Sequence, residues 1–213
     1  MSRPARTGLI VLLAGSLAVL GGGVAIVVGN AHDRGAYAAG PAPRVAVPHG
    51  PIATVPDAEQ DANVPLPAFL IIPAIGVRTR LVRLGTTRGG AMAVPGTTAV
   101  AGWFTASPRP GAIGSSIIAG HVDSYLGPGV FFRLRLLRPG DRVFVRRANG
   151  TFAVFRITAV RTYLKTRFPV QAVYGPVPYA SLRLITCGGA FDYATRHYLS
   201  SIVAYAAQVG STS

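Results

Sequence analysis

Asp141-Arg142-Val143-Phe144-Val145-Arg146-Arg147-Ala148-Asn149-Gly150-Thr151-Phe152-Ala153-Val154-Phe155-Arg156-Ile157-Thr158-Ala159-Val160 alternates apolar and polar residues on both sides of an Asn-Gly pair. A hydrophobic period of two marks a strand with one buried face, and Asn-Gly between two such runs marks a tight hairpin turn. The stretch therefore predicts antiparallel strands over 141–147 and 151–160. Working outward, Val77-Arg78-Thr79-Arg80-Leu81-Val82-Arg83-Leu84 repeats the alternation. Further strands are expected at 66–72, 98–103, 115–119, 181–187 and 199–206. Residues 130–137 are expected as one short helix, ended by Pro139-Gly140. The 26 glycines and 17 prolines among 213 residues disfavour a helix bundle. The fold class expected is all-β, a sandwich or a barrel of many short strands. There is no internal repeat.

Towards the N-terminus the character changes. Residues 9–28 carry no charge and have the length of a membrane-spanning helix. Arg3 and Arg6 flank that run, which leaves the first eight residues cytoplasmic and exports the rest. The alternative is a cleaved signal peptide, for which Ala36-Tyr37-Ala38 offers a site. Residues 29–64 are rich in Ala, Pro and Gly and read as an extended linker. The expected plan is thus a cytoplasmic end at 1–8, an anchor at 9–28, a linker at 29–64 and an extracellular domain at 65–213.

Twenty-one basic residues against seven acidic ones give a net charge of +14. The whole excess falls in residues 65–213, where sixteen arginines and Lys165, the chain's one lysine, face only Asp123, Asp141 and Asp192. Such a surface attracts anionic polymers or lipid headgroups. An exported domain with no interleaved aromatic and basic residues argues against nucleic acid as a partner.

Several chemistries drop out. There is no phosphate-cradling G-x-x-x-x-G-K-[ST] loop. His32, His49, His121 and His197 lack metal-ligand spacing, and a single cysteine builds neither a structural zinc site nor an intramolecular disulfide. Gly114-Ser115-Ser116-Ile117-Ile118 is not a nucleophile elbow. Three aspartates and no glutamate in the domain are thin for glycoside hydrolysis.

What remains is Cys187. It follows the alternating run Ser181-Leu182-Arg183-Leu184-Ile185-Thr186 and precedes Gly188-Gly189. At a strand end beside two residues without side chains, the thiol is expected to be exposed. A small buried hydrophobe is the ordinary reading of a lone Cys, but an unpaired thiol in an exported chain argues for use. A free thiol titrates near 8.5, so a nucleophile needs a histidine or a positive group beside it. His121 is the best partner: it follows the run Ser115-Ser116-Ile117-Ile118-Ala119-Gly120, and Asp123, two positions on, could orient its ring. His32 and His49 fall in the linker, and His197 is a structural neighbour. Arg196 is the only arginine after Cys187 and is the candidate to meet a developing oxyanion.

Ala119-Gly120-His121-Val122-Asp123 followed by Leu184-Ile185-Thr186-Cys187, with an Arg shortly after and an N-terminal anchor, resembles the sortases of Gram-positive bacteria. Ile72-Pro73-Ala74-Ile75-Gly76-Val77, Gly120-His121-Val122-Asp123-Ser124, Arg138-Pro139-Gly140-Asp141 and Leu184-Ile185-Thr186-Cys187-Gly188-Gly189 are similar to the actinobacterial class F members. The similarity covers about residues 66–207. It implies a closed eight-stranded β-barrel with short helices and a cysteine transpeptidase acting on exported proteins with an L-P-x-T-G-like sorting signal. Cys187 would attack the Thr–Gly carbonyl to form a thioacyl enzyme. His121 would protonate the leaving amine and deprotonate the incoming one, which belongs to a cell-wall peptide or precursor. Arg196 would hold the substrate and stabilise the oxyanion. Asp123, Thr186 and Gly188 are expected to bind or orient substrate, and no metal or organic cofactor is needed.

The chain departs from the family pattern twice. Arg183 stands where the family often has Thr, and the positions where its catalytic Arg usually lies hold Leu199, Ser200 and Ser201. Unless strand and loop geometry brings Arg196 to the thiol, another Arg must serve. Two other readings remain. An L,D-transpeptidase of the cell wall predicts an S-x-G-C-[IV]-R run, which Ile185-Thr186-Cys187-Gly188-Gly189 is not. A non-catalytic domain binding anionic wall polymers would rest on the arginine excess alone.

Overall fold

The computed structural model describes residues 58–212. The expected anchor and the linker up to residue 57 lie outside them. The end of the expected linker is ordered as a helical turn, α1 (Ala58–Asn63). Arg109 holds it there: its backbone N–H donates to the Asp61 carboxylate, and its Nη1 donates to the carbonyls of Ala62 and Val64 at 3.1 and 2.7 Å.

Ten strands follow: β1 (Pro67–Ile72), β2 (Val77–Leu84), β3 (Ala101–Phe104), β4 (Gly114–Gly120), β5 (Asp123–Ser124), β6 (Gly127–Pro128), β7 (Arg142–Arg147), β8 (Phe152–Leu164), β9 (Ala180–Asp192) and β10 (His197–Thr212). Eight close into a barrel in the order β1-β2-β3-β4-β9-β10-β8-β7, while β5 and β6 form a small separate ribbon. The pairs β2–β3 and β4–β9 are parallel, and the other barrel pairs are antiparallel. The Asn149-Gly150 turn joins β7 to β8, with Gly150 at φ +89°.

All eight expected strands are present, and β8, β9 and β10 run longer than the alternation suggests. The expected helix over 130–137 is instead a turn ending in a short 3-10 segment, Leu134–Leu136. Its N–H groups reach back three residues instead of four, Leu134 to the Phe131 carbonyl at 3.0 Å, Leu136 to Arg133 at 2.9 Å and Leu137 to Leu134 at 3.2 Å, which is the tighter 3-10 pattern. A second helical turn, α2 (Val170–Tyr174), has no counterpart in the sequence reading.

Period-two alternation sorts the strands into two packed faces. Leu70, Ile72, Val77, Trp103, Ile118, Val143, Phe155, Leu184 and Ile202 meet inside the barrel, which every strand helps to fill. On β4, β9 and β10 the alternate residues Ile117, Ala119, Ile185 and Val203 are buried as well, under Met92, Val173 and their neighbours. These strands are covered on both sides, so β4 reads as a continuous buried run instead of an alternating one.

Candidate active site

The outward-facing residues of β4, β9 and β10 lead to the site. β4 and β9 run parallel with Ile118 opposite Leu184 and Ala119 opposite Ile185. The same register carries His121, one residue beyond β4, level with Cys187. Thr186 secures this end of the pair, its Oγ1 donating to the Gly120 carbonyl at 2.8 Å. Adjacent strands lie about 5 Å apart. Odd-numbered residues face outward on both strands, which turns the thiol to that side, and His121 follows β4 in the same phase. The chain arranges this across 66 residues of sequence.

Cys187 is mid-strand and 6% exposed, not the exposed strand end expected from Gly188-Gly189. β9 continues five residues past it because β10 keeps pairing: Ser201 stands opposite Cys187, Ser200 opposite Gly188, and an irregularity follows between Tyr198 and Ser200. Gly189 takes φ +77° at this bulge, and a Cβ there would lie 2.6 Å from the Ser200 hydroxyl. Thr186 and Gly188 alternate with Cys187 and face the barrel interior. Gly188 leaves room there for Ile202, whose Cδ1 would be 2.5 Å from an added Cβ. Both residues therefore lie on the opposite face of β9 from the thiol.

His121 is half-buried, and its Nε2 lies 2.8 Å from the Pro95 carbonyl oxygen. A carbonyl only accepts, so Nε2 carries a hydrogen and Nδ1 is the nitrogen left to exchange a proton. The backbone around the ring is clasped by Gly129, which donates to the Val122 carbonyl at 2.8 Å, and by Phe131 on the His121 carbonyl. Asp123 serves a different residue from the one expected. Its carboxylate accepts the hydroxyl of Tyr198, in the first turn of β10. Tyr198 in turn stacks edge-on with Phe191, their ring centroids 5.1 Å apart.

Burial pushes the Cys187 thiol up, and the nearby Asp123 carboxylate adds to the effect. Lys165 opposes both, its ammonium near the sulfur favouring the thiolate. The Tyr198 hydroxyl is pushed up to about 12, by burial first and then by Asp123. Cys187, Lys165, Asp123 and Tyr198 thus form one electrostatic cluster around the sulfur. Sequence reasoning did not find Tyr198 or Lys165. The only available signal for the second was that it is the one lysine in an arginine-rich chain.

Arg196 lies in the β9–β10 turn with φ +56°, a left-handed conformation for a residue with a side chain. Asp192 shapes that turn by accepting from the Ala194 N–H and the Thr195 hydroxyl. Along the strand Arg196 is five positions from Ser201, the residue opposite Cys187, which is roughly 16 Å of extended chain. Among the described residues no cluster of three His, Cys, Asp or Glu side chains is placed to hold a metal.

Comparison with known proteins agrees with this architecture. Among solved structures, Listeria monocytogenes sortase A superposes with a TM-score of 0.53 at 16% identity, covering 70% of this chain and 90% of that one. Corynebacterium diphtheriae sortase A gives 0.51 at 20% identity, covering 68% and 61%. The group B Streptococcus pilus island 1 sortase C2 gives 0.51 at 15%, covering 67% and 73%. At these identities the likeness is one of fold. No curated protein sequence matches the chain. The sequence itself fits the sortase-domain family model over residues 70–209, most of the barrel. The chain therefore belongs to the sortase family, the cysteine transpeptidases, and Cys187 is its only cysteine.

Proposed function

We propose that this sortase is tethered to the membrane by residues 9–28 and faces outward. In this reading it cleaves an L-P-x-T-G-like sorting signal between Thr and Gly, in the manner of the actinobacterial class F enzymes its motifs resemble. The Cys187 sulfur attacks the threonine carbonyl carbon, and the C–N bond to glycine breaks as His121 gives a proton to the leaving amine. The resulting thioester is opened by an amine of a cell-wall peptide or precursor, which loses its proton to His121 and restores the thiol. The proton moves through Nδ1, since Nε2 is held by Pro95. Arg196 at the hairpin tip holds the substrate.

One observation supports the reading above the others: the β4–β9 register, pinned by Thr186 on Gly120, which sets His121 level with Cys187. The test uses the full-length chain in detergent with quenched L-P-x-T-G and L-A-x-T-G peptides. Cys187→Ala and His121→Ala each abolish cleavage with unchanged circular dichroism, and Arg196→Ala slows it. Cleavage retained by the Cys187→Ala chain ends the proposal.

A further inference from the structure

A thiol buried beside a carboxylate needs a cation to ionise. The positions where sortases usually carry their arginine hold Leu199, Ser200 and Ser201 here. Leu199 falls in the irregular stretch of β10 and is half exposed, while Ser201 is buried directly opposite Cys187. Arg196 is farther along, at the turn. The sheet supplies a cation from another direction. Across β10, Ser201 also pairs with Tyr163 of β8 and Ser200 with Leu164. Tyr163, Ser201 and Cys187 therefore form one row across three strands, with Leu164, Ser200 and Gly188 in the next.

Lys165 follows Leu164 directly. It opens the 3-10 segment that ends β8, two positions past Tyr163, which packs on the outer layer of the sheet. Two strand spacings, about 10 Å, separate β8 from β9. Lys165 stands two positions beyond the row of Tyr163, Ser201 and Cys187, so its side chain crosses β10 diagonally, past the small Ser201, to lie beside the sulfur whose ionisation it favours. The backbone of Lys165 is fixed on both sides by aromatic contacts. Tyr163 meets Phe168 edge-on at 5.9 Å between centroids, Phe168 meets Tyr174 at 6.0 Å, and the Tyr163 and Tyr205 hydroxyls are 3.0 Å apart.

We infer that Lys165 is a catalytic residue: its ammonium reaches over β10 to hydrogen-bond the Cys187 sulfur and supplies the positive charge at the reacting centre. The inference rests on the transpeptidase reading with Cys187 as nucleophile and assigns the cation that reading leaves at a distance. In the ground state the ammonium favours the thiolate over the thiol. When sulfur adds to the carbonyl carbon, the negative charge moves to the carbonyl oxygen, two bonds from the sulfur and still within reach of the same ammonium. Lys165 gives up no proton: His121 carries the proton traffic, and Lys165 stays cationic throughout. Burial and Asp123 push the thiol up, and Lys165 is the one group among its neighbours that pulls it down.

The experiment compares Lys165→Met, Lys165→Arg, Arg196→Ala and Cys187→Ala in the full-length chain. The exposed Arg167→Met, on the same 3-10 turn, controls for loss of charge in general. Two readouts are taken: kcat/KM on the quenched L-P-x-T-G peptide, and the pH profile of Cys187 alkylation by iodoacetamide, which needs no substrate recognition. The titratable groups that act on the sulfur or feel it are Asp123 of β5, Tyr198 of β10 and Lys165 just past β8, with His121 level with Cys187 just past β4. Lys165→Met is expected to lower kcat/KM by about 100-fold or more and to move the alkylation midpoint upward by about one pH unit. Lys165→Arg should restore the midpoint and most of the rate, and Arg167→Met should change neither. If Lys165→Met leaves the midpoint in place, or Arg196→Ala moves it instead, the inference is wrong while the thiol mechanism stands. If Cys187→Ala still turns over peptide, the transpeptidase reading fails with it.

Discussion

Replacing Gly129 with alanine tests whether the imidazole is held by its surroundings or merely happens to lie near the thiol. The φ of Gly129 is not in the left-handed region, so the demand for glycine there is one of space. An added Cβ would sit 2.5 Å from the His121 carbonyl oxygen, 2.9 Å from its carbonyl carbon and 3.1 Å from its Cβ. Two of these atoms are backbone, so no rotamer relieves the contact. Reaching ordinary van der Waals separation means parting the two backbones by about 0.9 Å. That displacement is applied to the residue whose ring is bonded to Pro95 at 2.8 Å and whose carbonyl is bonded to Phe131 at 2.9 Å. A misplacement of about 1 Å in a catalytic group costs on the order of 100-fold in rate. Overpacking costs about 1–3 kcal/mol of stability, or a few degrees of Tm in a domain of this size. The assay pairs kcat/KM on a quenched sorting-signal peptide with calorimetry. Gly85→Ala, where nothing lies within 4 Å and φ is not positive, is the control and should be near neutral in both. A Gly129→Ala chain that melts lower but keeps kcat/KM within about twofold would refute the claim that this contact sets the ring.

Two further outcomes are expected. The Tyr198 hydroxyl is held protonated in the fold up to about 12, against an ordinary value of 10. A raised value means the folded state binds the proton more tightly. The stabilisation is thus full below pH 10 and is lost as pH rises from 10 to 12. Tyr198→Phe should flatten the fall of Tm with pH in that window; an unchanged slope would show that burial and Asp123 together do not hold the proton. Gly150→Ala should cost about 1–2 kcal/mol, because φ +89° is strained for alanine although nothing lies within 4 Å of the new methyl. Peptide turnover at 25 °C should be unaffected, and an unchanged Tm would mean the turn has relaxed to another conformation.

The strands were legible in the sequence because period-two alternation and the Asn149-Gly150 turn are local signals. Their ends were less so. Gly188-Gly189 reads as a strand end, but β9 continues because β10 pairs with it through a bulge, a non-local fact. Residues 130–137 have a helical pattern, yet their N–H groups close three-residue turns and not the four-residue turns of an α-helix. Cys187 and His121 could be singled out because a lone thiol and a histidine at a strand-to-loop junction are unusual residues in unusual places. Tyr198 and Lys165 are ordinary residue types, and only the folded arrangement of β8, β9 and β10 sets their charges near the sulfur. Asp123, read as a support for His121, proves to hold Tyr198, since two positions of spacing say nothing about the direction of a carboxylate.

The strand order β4-β9-β10-β8 also governs when during folding the enzyme becomes competent. His121, Lys165 and Cys187 each leave a different strand, and β4 meets β9 only in parallel, after a long intervening stretch of chain has been laid down. Sheets assembled from such distant partners form slowly, on the order of milliseconds to seconds. No hairpin or early fragment contains the reactive assembly, so a nascent or truncated chain carries the sulfur without the means to use it.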